Sequence, residues 1–310
     1  MPQDDEPLSM PETLRLERGE IPPTSYTMRD YAALYGAGDY INALAVWDCL
    51  AEANYEHICR VHKASYTPAL PPIISSFMPK AGGTFLFNRM IQTLGYYDFP
   101  WGVTVANSYT QVYPAASAVE VYQRGGFFCH SHAQPFPHFR MIMERRNVGP
   151  IWIHIRHPAE ACLAGYFHFH GEGQGEGAAG EKRVAAMEVQ RDHLRDLHSF
   201  ELGEWPPFFR RWVGFYADWI AAWLDYETQR PGSTVFTYFD ELPNPSRLLA
   251  RVFLRHGYHL PEDDVVDHLA DDRRRKGGNH DWRLGLSEDD IASQAAHLAV
   301  WDRAMATRVE

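Results

Sequence analysis

The chain has 310 residues, 45% of them hydrophobic and 14% aromatic, which is enough apolar content for one large domain or two small ones. Its formal net charge of -11 argues against a general nucleic-acid or anionic-membrane surface, so an anionic ligand must be met by a local cluster. The four cysteines, Cys49, Cys59, Cys129 and Cys162, show no CxxC spacing; this indicates neither a zinc ribbon nor a disulfide framework, and suits a reducing, cytoplasmic compartment.

Residues 1 to about 25 are rich in Pro, Glu and Arg and read as a surface arm. The opening "MPQDDEPLSM" lacks an apolar signal core, and no apolar run elsewhere is long enough to span a bilayer, so a soluble, cytoplasmic protein is expected. From "YTMRDYAALYGAGDY" onward apolar residues recur at helical spacing, with Gly36 and Gly38 dividing the run into two helices. The apolar "PPIISSF" predicts a strand over 72–77, "MPKAGGTF" a loop, and "LFNRMIQTLG" a helix. Unpaired amides at such a junction face any anion lying there, glycines allow close approach, and Lys80 adds a point charge. A plain glycine turn with a solvated lysine fits the same octapeptide.

"GGFFCHSH" and "GPIWIHIR" read as further buried strands and "GSTVFTYF" as a later one, alternating with helices as in a parallel sheet. No internal repeat is present. The glycine-rich "HGEGQGEGAAGEKR", residues 170–183, is a flexible connection or a lid. "PPFFRRWVGFYADWIAAWLDY" predicts a helix with Phe208, Trp212, Phe215, Trp219 and Trp223 along one core-facing stripe.

Two basic features stand out in this acidic chain. Arg156 ends the strand "IWIHIR", where open α/β sheets bind ligands, although a surface salt bridge would place an arginine there as well. In "DDRRRKGGNHDWR", Arg273, Arg274, Arg275 and Lys276 run into Gly277 and Gly278; Asp271 and Asp272 also allow a solvated, self-neutralised run. Taken with Lys80, these groups suit a ligand carrying more than one phosphate-like group.

In this order and separation, "PKAGGTF", "IRHPAEACLAGYFHF" and "RKGGNHDWR" resemble the cofactor-binding signatures of sulfotransferases that use 3'-phosphoadenosine 5'-phosphosulfate (PAPS), over residues 72 to about 285. The resemblance implies an α/β, P-loop-like sulfotransferase fold, with a central parallel sheet flanked by helices. It implies a sulfotransferase domain over 71–310, preceded by an arm and helical extension over 1–70. The family's Pro-Lys-Ser-Gly-Thr-Thr-Trp, which holds the 5'-phosphosulfate, falls on Pro79, Lys80, Ala81, Gly82, Gly83, Thr84 and Phe85. Lys80 thereby takes the role of stabilising the leaving phosphate, and Phe85 that of stacking on adenine. Arg156 matches the arginine gripping the 3'-phosphate, and Arg275, Lys276 and Gly277 match the segment closing over it. Phe239 stands at an adenine-contacting tyrosine, with Tyr238 as the neighbouring alternative. Ala164 occupies the position of a serine that bonds the 3'-phosphate, and His280 that of a glycine.

The acceptor must lose a proton as it attacks sulfur. The family's Lys-Thr-His stretch aligns with His130, Ser131 and His132, which makes His132 the general base and puts His130 at the lysine. Read without the resemblance, the pair is also a core feature or two zinc ligands, since His-X-His on a strand points both rings to one face. His138, after two prolines, is a second candidate. The expected reaction transfers a sulfuryl group from PAPS, without a metal, to a small alcohol, phenol or amine, leaving adenosine 3',5'-bisphosphate. Aromatics at Tyr166, Phe167 and Phe169 favour an apolar or aromatic alcohol. A P-loop kinase is excluded because its lysine follows the glycines, whereas Lys80 precedes them. A non-catalytic bisphosphate-binding protein and a His-ligated metal-dependent hydrolase are the alternatives.

Overall fold

The computed structural model describes residues 70–98, 102–105, 108–169, 205–260 and 281–308, with residues 29–30, 33–34, 37, 39 and 42–47 of the N-terminal segment. The glycine-rich stretch at 170–183 and the basic run with Arg275, Lys276 and Gly277 lie outside the described residues.

β1 (Ile73–Phe77) is buried along its whole length, as a strand covered on both faces must be. A tight loop leads from it into α1 (Gly83–Asn88), which passes into one π turn over Arg89–Thr93. β2 (Tyr97–Asp98), an antiparallel hairpin of β3 (Gly102–Val105) and β4 (Ser108–Pro114), and α2 (Ala116–Tyr122) follow. Next come β5 (Phe127–Ser131), α3 (Pro137–Arg145), β6 (Ile151–Ile155) and α4 (Pro158–Phe169). The long α5 (Trp205–Gln229), β7 (Thr234–Tyr238) and α6 (Pro245–Arg255) precede three short helices, α7 (Glu288–Ser293), α8 (Ala295–Leu298) and α9 (Val300–Ala306). Five strands form a central parallel sheet in the order β2-β5-β1-β6-β7, flanked by helices. Among the described residues no helix is long and apolar enough to cross a membrane.

Four details depart from the sequence reading. The strand at "GGFFCHSH" stops at Ser131, so His132 lies just beyond it. His138 belongs to the first turn of α3 rather than to a turn, because Pro137 presets the helical φ at N1. The hairpin of β3 and β4 has no counterpart among the predicted elements, and its register is irregular at Thr104 and Val105. The aromatic stripe of α5 is core at Phe208, Trp219 and Trp223, whereas Trp212 and Phe215 are half-buried. They flank a buried face centred on Phe209, Val213, Tyr216 and Ile220.

The chain divides into two compact units. The first holds the described residues up to Ser76, then Leu86–Trp152 and Ala250–Leu260; the second holds Phe77–Phe85, Ile153–Leu249 and the described residues from Asp281 onward. In the first, Tyr96 sets its ring edge-on to Phe128 and Phe253, and Phe128 packs on Trp152. In the second, α4 and α5 pack against each other around Phe209, Tyr216 and Trp219, all buried.

Candidate functional site

The loop after β1 turns sharply. The Ala81 N–H donates to Met78 O at 3.1 Å and the Phe85 N–H to Gly82 O at 3.0 Å, while the Met78 N–H donates to His154 O at 2.8 Å. Gly82 has φ 88°, and Lys80 has φ 65°, a left-handed conformation that costs a non-glycine residue about 1 kcal/mol or more. Strain of this kind is kept where the surroundings fix it. Ala81 and Gly83 are buried, Lys80, Gly82 and Phe85 half-buried, and Thr84 exposed.

Arg156 leaves the end of β6 beside that loop, with its side chain only 11% exposed. Its NH1 donates to Lys80 O at 3.5 Å, its Nε pairs with Glu160 at 3.1 Å, and its guanidinium lies 3.9 Å from the centre of the Phe239 ring. Burial lowers its pKa against the opposing pull of Glu160. Phe239 opens a short 3-10 turn after β7, and its ring also meets Gly82: a Cβ built there would sit 3.5 Å from Phe239 and 2.7 Å from Leu242. Tyr238, the last residue of β7, donates its hydroxyl hydrogen to Ala304 O at 2.8 Å. Lys80, Gly82, Arg156 and Phe239 thus converge in the second unit. Glu160 and Leu242 were not expected there; the Arg-x-x-x-Glu spacing from the end of β6 into the first turn of α4 is the signal that could have identified the first.

Ala164 is half-buried on α4, and it provides no hydroxyl. Tyr166 packs on Phe167, Trp205 and Phe208 at ring separations of 5.4–5.6 Å.

In the first unit, His130 and His132 are neighbours, with ring centres 5.3 Å apart and planes 77° apart. Both flanks of His132 are tied down. Ser131 Oγ donates to Ser75 O at 3.0 Å, and Ser76 Oγ donates to Ala133 O at 2.6 Å. His130, packed against Phe87 at 5.6 Å, is pushed down to about 3 by burial and then by His132, and is neutral at pH 7. His138 faces Tyr113 at 5.3 Å. A cleft of about 550 Å³ over α3, lined by Pro135, Phe136, Arg140 and Glu144 among others, contains none of the expected site residues. Among the described residues no group of three or more His, Cys, Asp or Glu is placed to hold a metal.

No protein-family model matches the chain, and no curated protein matches it by sequence. Two solved structures are similar in fold. A mouse sulfotransferase, SULT7A1 complexed with PAP, is 10% identical over 76% of this chain and 89% of its own, with a TM-score of 0.43. A sulfotransferase from Alicyclobacillus acidocaldarius is 15% identical over 77% of this chain and 97% of its own, with a TM-score of 0.44. Likenesses this loose carry no argument about function.

Proposed function

We propose that the chain is a PAPS-dependent sulfotransferase, with residues 71–310 as its catalytic domain and residues 1–70 as an extension. The seating of Arg156 carries the reading. A nearly buried guanidinium, with one carboxylate and an aromatic ring as neighbours, lies against the carbonyl of a strained lysine in a glycine loop. Such a cation gains from a phosphate, which matches its fork and offsets its lost hydration. In this reading Arg156 holds the 3'-phosphate, joined by Arg275 and Lys276 and by the backbone at Gly277. Lys80 and the amides of Gly82, Gly83 and Thr84 hold the 5'-phosphosulfate, with Ala81 turning the loop beneath it through its own bond to Met78, while Phe85 and Phe239 face adenine. Ala164 leaves the 3'-phosphate one hydrogen bond short.

The transfer is an in-line displacement. The acceptor O–H bond breaks, with its proton going to His132; the oxygen bonds to sulfur as the sulfur–phosphate oxygen bond breaks. Charge then collects on adenosine 3',5'-bisphosphate, where Lys80 stabilises it. The acceptor in this reading is a small alcohol, phenol or amine, and the compartment is the cytoplasm, in keeping with the free buried thiols of Cys129 and Cys162.

The test has two arms. The bisphosphate should raise the melting temperature well beyond ATP at equal concentration, because ATP has no 3'-phosphate for Arg156. PAPS offered with a panel of alcohols, phenols and amines should yield a sulfated product. Equal stabilisation by both nucleotides overturns the donor assignment, and stabilisation without turnover leaves a non-catalytic bisphosphate-binding protein.

A further inference from the structure

Arg156 and Phe239, stacked on each other, are each joined along the chain to a second ring that faces elsewhere. His157 follows Arg156, and Tyr238 precedes Phe239. One indole meets both: Trp301 of α9 lies edge-on to His157 at 5.5 Å and to Tyr238 at 6.1 Å, with interplanar angles of 66° and 80°. The helix carrying it is fastened to the same place. Tyr238 donates to Ala304 O at 2.8 Å, and Arg308 pairs with Asp240 at 2.8 Å with its guanidinium 5.0 Å from the Tyr238 ring.

His157 is held on its other side too. Trp282 stacks on it at 5.6 Å and 22°, and its Nδ1 accepts from the Ala159 N–H at 3.3 Å, which caps α4. Burial keeps His157 below the ordinary histidine range, against the opposing pull of Glu160. Val300 and Ala304 form the buried face of α9, whereas Trp301 is half-buried. Its two ring contacts are with the residues that adjoin the stack, the buried Tyr238 and the half-buried His157.

We propose that Trp301 is a positioning residue for the nucleotide site, setting Arg156 against Phe239 through His157 and Tyr238. The inference rests on the reading of Arg156 and Phe239 as donor contacts. Coupling of this kind needs a contiguous packed path, and here the path is two rings long.

The test uses the full chain with adenosine 3',5'-bisphosphate as probe. Trp301→Leu should weaken binding by about tenfold, as a misplaced clamp does, while Trp301→Phe, which keeps an aromatic edge, stays within about threefold of wild type. Val300→Ala serves as the packing control: it should lower the melting temperature and leave the affinity unchanged. A second readout needs no variant protein for the effect itself. With 5-fluorotryptophan incorporated, the ¹⁹F resonance assigned to Trp301 by its loss in Trp301→Phe should move when the bisphosphate is added to wild type. Wild-type affinity in Trp301→Leu, or a stationary resonance in a wild type that binds, overturns the proposal alone. A wild type that does not bind the bisphosphate overturns the donor reading and the proposal with it.

Discussion

His132 sits one residue past a strand end, with the serine and alanine on either side both bonded to β1, at Ser75 and Ser76. The proposed role of His132 as base can be tested without moving its neighbours. His132→Asn should lower turnover by roughly 10²–10⁴-fold and leave bisphosphate affinity intact, since proton removal matters in the transition state. Initial rates and calorimetric titration decide it; substantial activity in the variant would pass the role to another group. Gly82 poses a second residue-scale question, because its φ of 88° and its closeness to Leu242 penalise any side chain for two separate reasons. Gly82→Ala should destabilise the fold by about 1–3 kcal/mol in urea melts and weaken bisphosphate binding. In a Leu242→Ala background the clash disappears and the backbone strain remains, so partial recovery is expected. Full recovery would mean that the left-handed backbone contributes nothing.

At the scale of elements, α4 and α5 approach so closely that a Cβ at Gly165 would fall on the Tyr216 hydroxyl, well inside contact distance. Gly165→Ala should therefore cost about 1–3 kcal/mol by overpacking, and Tyr216→Phe should relieve part of it. Calorimetric melting of the two single variants and the double variant measures the coupling; additive effects would mean that the helices part without resistance. The elements themselves were legible where one physical signal dominated. The apolar run at β1 and the proline-led aromatic run of α5 each announced their type. The hairpin of β3 and β4 did not, because β3 is only four residues long and its pairing is irregular. Sequence order also placed Lys80 in a loop and both Arg156 and Phe239 at strand ends, although Phe239 in fact opens the turn after β7. What it could not supply was their meeting. The contacts of Arg156 with Lys80 and Phe239 span 76 and 83 residues, and no local spacing encodes a packing decision made by the whole sheet.

Across the whole molecule, the acidic balance hides a set of histidines that burial keeps neutral. His256, after the last turn of α6, is pushed down to about 4 by burial and then by Arg255, and its Nε2 is buried with no hydrogen-bond partner among the described residues. His130 lies lower still, at about 3. In the unfolded chain both titrate near 6.5. Between about pH 6.5 and pH 4 the unfolded state therefore binds more protons than the folded one, and stability rises with pH across that window. The contribution is complete above the unfolded value and is lost as pH falls toward the folded value. His256→Gln removes one such group without touching the proposed donor or acceptor residues. Urea melts at pH 7, 6 and 5 should show wild type losing stability on acidification, and the variant losing less, by roughly 1 kcal/mol per pH unit below 6. The two proteins should differ in slope rather than by a constant offset, because a packing defect shifts stability equally at every pH whereas a linked proton does not. Parallel lines would show that His256 takes up its proton as readily in the folded chain as in the unfolded one, and its burial at the end of α6 would then have no electrostatic consequence.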